Sequence, residues 1–206
     1  MVVVCGLASY WNFKKFKGTS FQSFSFENLA EPEPPKEEPE NSTIEEKEWV
    51  SSDGKLKLKY SQDWIEYDKI LLEQLKQEST NTLETEPLLY AMQMSTGMTT
   101  QTETINLLTV EKINSKKNFD EIIELIEKSP TQDEVEIVSS QNQGNFASLE
   151  FKTKPSKENN FYFHSIMKIF FRKEETYLIT FSTPESYFSK QTAEGNKILN
   201  SAEFSD

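Results

Sequence analysis

The segment Lys55-Leu56-Lys57-Leu58-Lys59-Tyr60 alternates polar and apolar residues with a period of two, which puts Leu56, Leu58 and Tyr60 on one buried face of a strand. Ser52-Asp53-Gly54 just ahead is a hairpin-turn signal, so an earlier strand is expected from Glu48-Trp49-Val50. Lys55, Lys57 and Lys59 then form a basic stripe, read as the solvated face of an edge strand rather than as a binding face. Between residues 67 and 78, Ile70, Leu71, Leu72 and Leu75 recur at helical spacing, and the polar run that follows ends at Pro87. Residues 88–96 and 104–113 read as strands joined by a threonine-rich loop around Gly97 and Met98. Asn118 with Glu121 three positions on is a capping-box signature, and Ile122, Ile123, Leu125 and Ile126 give the helix behind it one apolar face before Pro130.

Four further strands are predicted in close order, at 134–140, 145–152, 161–172 and 176–182. Ala147, Leu149 and Phe151 share one face of the second. The third carries Phe161, Phe163, Met167, Ile169 and Phe171 on one face and Ile166 and Phe170 on the other, the mark of a strand covered on both sides. Thr183 is expected to cap a closing helix with Pro184 at its first position. Thr192, Gly195, Leu199 and Ala202 would let that helix lie close on the sheet. The pattern predicts an α+β domain around an antiparallel sheet.

Upstream the character changes twice. Met1 to Trp11 is apolar and uncharged, and Lys14, Lys15 and Lys17 follow at once, as where a membrane segment meets lipid headgroups. As a helix that stretch covers about 17 Å of a hydrocarbon core about 30 Å thick. It is read as a partial membrane anchor, with an interfacial tail carrying Trp11, Phe13, Phe16, Phe21, Phe24 and Phe26 as the alternative. Next, Pro32, Pro34, Pro35 and Pro39 stand among Glu31, Glu33, Glu37, Glu38 and Glu40, a composition that stiffens and extends a chain instead of building a core. The expected layout is an apolar tail over 1–18, a Pro/Glu-rich linker over 19–47 and one domain over 48–206.

Charge and composition narrow the function. A formal net charge of -12 in 206 residues is the wrong sign for nucleic-acid binding, which needs clustered Lys and Arg to displace counterions. With one cysteine, Cys5, an intrachain disulfide and a multi-cysteine zinc site are both excluded, and one histidine, His164, excludes His-rich metal ligation. No calcium loop, phosphate-cradling glycine loop or nucleophile elbow is present. His164 lies on the strand face opposite Phe163 and Met167 and is read as a half-buried structural histidine. Asp120, Glu121, Glu124 and Glu127 are read as the wet side of an amphipathic helix. No catalytic, metal or cofactor residue is assigned.

Ser52-Asp53-Gly54-Lys55, Leu58-Lys59-Tyr60-Ser61, Asp63-Trp64, Tyr177-Leu178-Ile179-Thr180-Phe181 and the final Ile198-Leu199-Asn200-Ser201-Ala202-Glu203-Phe204, in that order, resemble the PsbP-like domain family over roughly residues 48–204. The resemblance implies an α/β/α sandwich around an antiparallel sheet, the fold of the photosystem II PsbP subunit and of a Ran-binding nuclear-import factor. It further implies a non-catalytic binding or assembly module in which the Leu-Lys-Tyr strand, Trp64 and the closing helix are packing features. It also suggests an extracytoplasmic place, although Lys14, Lys15 and Lys17 favour retention of their own side of the membrane. The expected partner is a membrane or envelope protein, with membrane contact through the tail. Trp64, Tyr67, Tyr187 and Phe188 are the aromatics placed to line a surface groove. The alternative is an enzyme-like domain that binds a small molecule or divalent cation in a groove beside residues 67–87.

Overall fold

The computed structural model describes residues 45–68, 70, 72, 85–96, 103–127, 135–153 and 162–205. The expected tail and most of the linker lie outside them. The domain starts two residues before its expected boundary. β1 (Glu46–Val50) takes in Glu46 and Lys47, because these pair with Ser61 and Tyr60 of β2 (Leu56–Ser61). The turn between them is built by Gly54 at φ +72°. The Ser51 hydroxyl donates to Asp53 (2.6 Å) and accepts from the Leu56 amide (3.0 Å), so the buried turn serine is satisfied on both sides.

β2 is not an edge strand. On its other side it pairs with β10 (Glu203–Phe204), which makes it the middle of a three-stranded antiparallel sheet. Lys57 of this strand lies 3.5 Å from Glu48, and Lys55, just ahead of the strand, lies 3.0 Å from Glu175. The opposite face of β2 buries Leu56, Leu58 and Tyr60, as the alternation predicts.

A second sheet of seven antiparallel strands forms the body of the domain, in the order β3-β4-β5-β9-β8-β7-β6. Its members are β3 (Ile65–Glu66), β4 (Thr85–Thr96), β5 (Glu103–Ile113), β6 (Val135–Asn142), β7 (Phe146–Thr153), β8 (Phe163–Phe171) and β9 (Thr176–Pro184). β8 is an inner strand, as its two apolar faces require, and β9 is the middle one. One face of this sheet packs against β2, Trp64 and α2 (Phe188–Asn200), burying Leu108, Val110, Ile179, Phe181, Ile198 and Leu199. The other face packs against α1 (Phe119–Glu127), with Ile122 and Ile126 on Leu149, Met167, Ile169 and Leu178. The result is the expected α/β/α layering, with the small sheet sharing the α2 layer. Of the predicted helix at 67–78, the turn in which Leu72 N–H donates to the Asp68 carbonyl (3.1 Å) is described, and most of the remainder lies outside the described residues. No helix among the described residues is long and apolar enough to cross a membrane.

The capping box of α1 forms in both directions: the Glu121 amide donates to Asn118 Oδ1 (2.9 Å), and the Asn118 amide donates to Glu121 Oε2 (2.7 Å). Asn118→Ala is expected to cost about 1 kcal/mol in urea unfolding, because it removes the side-chain acceptor for a first-turn amide.

Thr183 does not cap α2. Antiparallel pairing of His164 with Thr183 and of Phe163 with Pro184 carries β9 two residues past its predicted end. A 3-10 turn (Glu185–Tyr187) then leads into α2 at Phe188, with no side-chain cap at either start. Ladder pairing along a central strand outcompetes the local Thr-Pro start signal.

Lys112 ties the two sheets together. Its ammonium, largely buried, lies 3.7 Å from Asp53 at the β1–β2 turn, 3.5 Å from Glu86 and 3.8 Å from Glu175. Burial alone would push the Glu175 carboxyl up, but hydrogen bonds from Lys55 and Tyr177, with the charges of Lys112 and Lys55, hold it below the usual glutamate range. A folded value below the unfolded one means stability that is present above the unfolded value and lost as pH falls through the folded one. Glu175→Gln is therefore expected to lower stability at neutral pH, and its deficit against the native chain should close below about pH 4.

Candidate functional site

Strand register lines up five polar side chains across the large sheet, on the face toward α2. Gln93 of β4 is opposite Asn106 of β5, and the next antiparallel step after Leu107–Ser182 puts Asn106 opposite Thr183 of β9. Thr183 is opposite His164 of β8, and His164 is opposite Lys152 of β7. At the usual strand spacing this row is about 19 Å long. Its middle is dry: Asn106 and Thr183 are each 0% exposed and His164 is 5% exposed. Asn106 Oδ1 and Thr183 Oγ1 have no hydrogen-bond partner among the described residues. Buried polar atoms of this kind ordinarily find a partner, so a run of them marks a built feature of the fold rather than leftover core.

At the β4 end the row is closed by an amide and carboxylate network. Asn106 Nδ2 donates to Gln93 Oε1 (2.7 Å), and Gln93 Nε2 donates to both Asp63 Oδ2 (2.8 Å) and Glu194 Oε1 (3.2 Å). Trp64 Nε1 also donates to Glu194 Oε1 (3.3 Å), and Ser61 donates to Asp63. Glu194 reaches the row because its neighbour Gly195 brings α2 onto the ring of Phe181: a Cβ on Gly195 would lie 2.5 Å from Phe181 Cδ1.

At the β7 end sits His164. Its Nε2 is 2.7 Å from Glu150 Oε1, and its Nδ1 is 2.7 Å from Glu185 Oε2 on the 3-10 turn. The first contact is a hydrogen bond, whereas the second is a close ion-pair contact without hydrogen-bond alignment. The Phe188 ring lies parallel over the imidazole, with centroids 3.3 Å apart. Lys152 donates to Glu185 Oε1 (2.7 Å), so two carboxylates, an ammonium and the imidazole form one cluster.

The four aromatics expected to line a groove are separated. Trp64 is 1% exposed and packs edge-on against Tyr60 and Phe181, so its indole is core and not surface. Tyr187 is buried in the 3-10 turn, while Phe188 is half-buried on His164. Tyr67 belongs to the other face of the sheet, stacked on Tyr90, and burial pushes its phenol above the usual tyrosine range. Tyr90 in turn donates to the buried Glu111 carboxylate (3.1 Å). Sequence reasoning placed His164 on the correct face but missed Glu150 and Glu185. Glu150 lies two residues before Lys152 on the same strand face, a signal legible once the β7–β8 register is known. Glu185 was hidden by the expectation that a helix begins at Pro184.

This layering, two antiparallel sheets with helices on both faces of the larger, is the PsbP-like fold. Among solved structures, 82% of the chain matches 98% of cyanobacterial PsbP (CyanoP) from Synechocystis, with a TM-score of 0.50 at 10% identity. LpqN, involved in cell envelope biogenesis of Mycobacterium tuberculosis, matches over 80% of this chain and 93% of its own, with a TM-score of 0.45 at 7% identity. A Bacteroides thetaiotaomicron protein matches over 78% of this chain and 48% of its own, with a TM-score of 0.42 at 15% identity. No protein-family model and no curated protein matches the chain. At such identities the likeness speaks to the fold alone.

Proposed function

We propose that this chain is a non-catalytic binding or assembly module, tethered at a membrane on its extracytoplasmic side and serving a membrane or envelope protein. The layout carries the reading: an apolar stretch ended by Lys14, Lys15 and Lys17, then a Pro/Glu spacer, then a PsbP-like domain that begins at Glu46. His164 supports its non-catalytic part. Both ring nitrogens face carboxylates at 2.7 Å and Phe188 covers one ring face, so the imidazole is committed to holding the fold. The test is fractionation of the full-length chain in its own cells after an alkaline wash, with crosslinking before lysis. The expected result is retention with membranes and a reproducible crosslink to a membrane or envelope protein. Recovery of the whole chain in the soluble fraction would end the tethered reading.

A second reading, a domain that binds a small polar molecule or divalent cation, is favoured by the unpartnered Asn106 Oδ1 and Thr183 Oγ1. The groove first expected beside 67–87 falls largely outside the described residues, and the polar row is the better locus. Thermal unfolding with Mg2+, Ca2+, Mn2+ and a panel of amines and polyols tests it, since a ligand at 100 times its Kd adds about 2.7 kcal/mol. No shift with any of them leaves the first reading standing.

A further inference from the structure

We propose that β6 is the docking edge of this module, and that its outer backbone takes up, as an added strand, an extended segment of the partner protein rich in lysine or arginine. The docking deepens the binding-module reading and rests on it.

A strand at the end of a sheet leaves its outward N–H and C=O groups unspent. The seven-stranded sheet ends on one side in β3, two residues long, and on the other in β6, eight residues that pair with β7 alone among the described residues. At the usual rise per residue β6 offers an open edge about 27 Å long. Glu136 and every side chain from Val138 to Asn142 are exposed, so the edge is open to solvent over most of its length.

Natural edges are commonly guarded by lysine or proline, which repel or block a further strand. β6 has neither. No lysine or arginine occurs between Lys128 and Lys152, whereas Asp133, Glu134, Glu136 and Glu150 all fall in that interval. An edge that leaves out the repelling lysines and gathers carboxylates is unguarded toward a cationic strand. One guard is present, a bulge between Ile137 and Ser139, which bends the strand locally. Beyond it the pairing with β7 is regular again from Ser139 to Asn142.

A second copy of this chain is the wrong occupant. It would bring a formal net charge of -12, its own bulge and the same acidic approach, Asp133-Glu134-Val135-Glu136, and like charges set against each other across an interface cost affinity. A basic segment meets opposite charge instead. Its main chain supplies the hydrogen bonds, one set of alternate side chains places ammonium or guanidinium groups beside Glu136, and an apolar residue lies against Val138, which is 45% exposed.

The probe is an eight-residue peptide of alternating lysine and valine, blocked at both ends and added to the full-length chain at low salt. A second version is N-methylated at its two central residues, which blocks both edges of the extended peptide and keeps its charge; a third has glutamate in place of lysine. Saturating lysine peptide is expected to slow amide exchange in residues 135–142 by about tenfold or more while β1 is unchanged, because strand addition rests on several main-chain hydrogen bonds. The methylated and glutamate peptides should each bind at least about tenfold more weakly, and Glu136→Lys, at an exposed position, should weaken the lysine peptide by about three- to tenfold. Absence of binding, protection outside 135–142, equal affinity for the methylated peptide, or protection of 135–142 that rises with protein concentration alone would each overturn the proposal, the third as a purely electrostatic contact and the last as self-association. These results are separable from membrane fractionation: a soluble chain that binds the peptide at β6 loses the tether and keeps the docking edge, whereas a membrane-retained chain that does not bind it keeps the module reading and loses the edge.

Discussion

Trp64→Ala is expected to destabilise the domain by about 3 to 5 kcal/mol, the range for truncating a large aromatic in a close-packed core. The indole is 1% exposed and fills the space between Tyr60 and Phe181, with ring centroids 6.3 and 6.1 Å away in edge-on geometry. Such pairs add about 0.5 to 1.5 kcal/mol beyond area burial. Truncation also removes the Nε1 donor from Glu194. Domains of this size have only about 5 to 15 kcal/mol to lose, so a large part of the population should be unfolded or aggregated at physiological temperature. Urea unfolding measures the loss, and Trp64→Phe should recover much of it by restoring volume without the N–H. A variant that unfolds near the native midpoint would show that the indole is not the keystone its burial implies.

Gly195→Val is expected to cost about 3 kcal/mol, although valine is intrinsically the better helix former. The two effects oppose each other. Propensity alone predicts a gain of a few tenths of a kcal/mol for leaving glycine. Packing predicts the reverse, because the first added carbon would already lie 2.5 Å from Phe181 Cδ1 and 2.8 Å from Cγ, on a ring that is itself 0% exposed. The ring has no free side to move toward, so α2 must lift, taking Ile198, Leu199 and Glu194 with it. Circular dichroism with denaturant gives the sign directly. A smaller companion, Phe181→Leu, should partly rescue Gly195→Val in the double variant and distinguishes the clash from any general intolerance at that position.

Much of the fold was legible because it rests on short-range signals. The alternation of Leu56, Leu58 and Tyr60, the Asn118–Glu121 box and the small residue at Gly195 each depend on neighbours within a turn or a strand, and each appears as predicted. What was not legible depends on which strand lies beside which. The lysine strand reads as an edge until β10 is seen beside it, and Thr183-Pro184 reads as a helix start until β8 is seen to hold it in the sheet. The polar row is the extreme case. Gln93, Asn106, Thr183, His164 and Lys152 come from five strands, and no local pattern links them. Of the proposed surface aromatics, Phe188 touches the row, Trp64 and Tyr187 are buried, and Tyr67 lies on the opposite face. An aromatic residue carries too little positional information to separate a core plug from a groove wall without the third dimension.

β10 brings residues 203 and 204 back to pair with Lys57 and Leu56, and the Phe204 ring settles between Tyr177 (5.1 Å) and Phe170 (5.0 Å) under the Arg172 guanidinium (4.7 Å). A ribosome therefore releases the Leu56–Tyr60 strand long before it makes the segment that flanks it. During that interval the small sheet lacks β10, and Ile198 and Leu199 of α2, which share a cluster with the apolar face of β2, do not yet exist. Closing contacts across so much sequence is intrinsically slow. A nascent chain with this wiring cannot complete its small sheet until residues 203 and 204 have been made, so the order of synthesis and the order of folding run in opposite directions there.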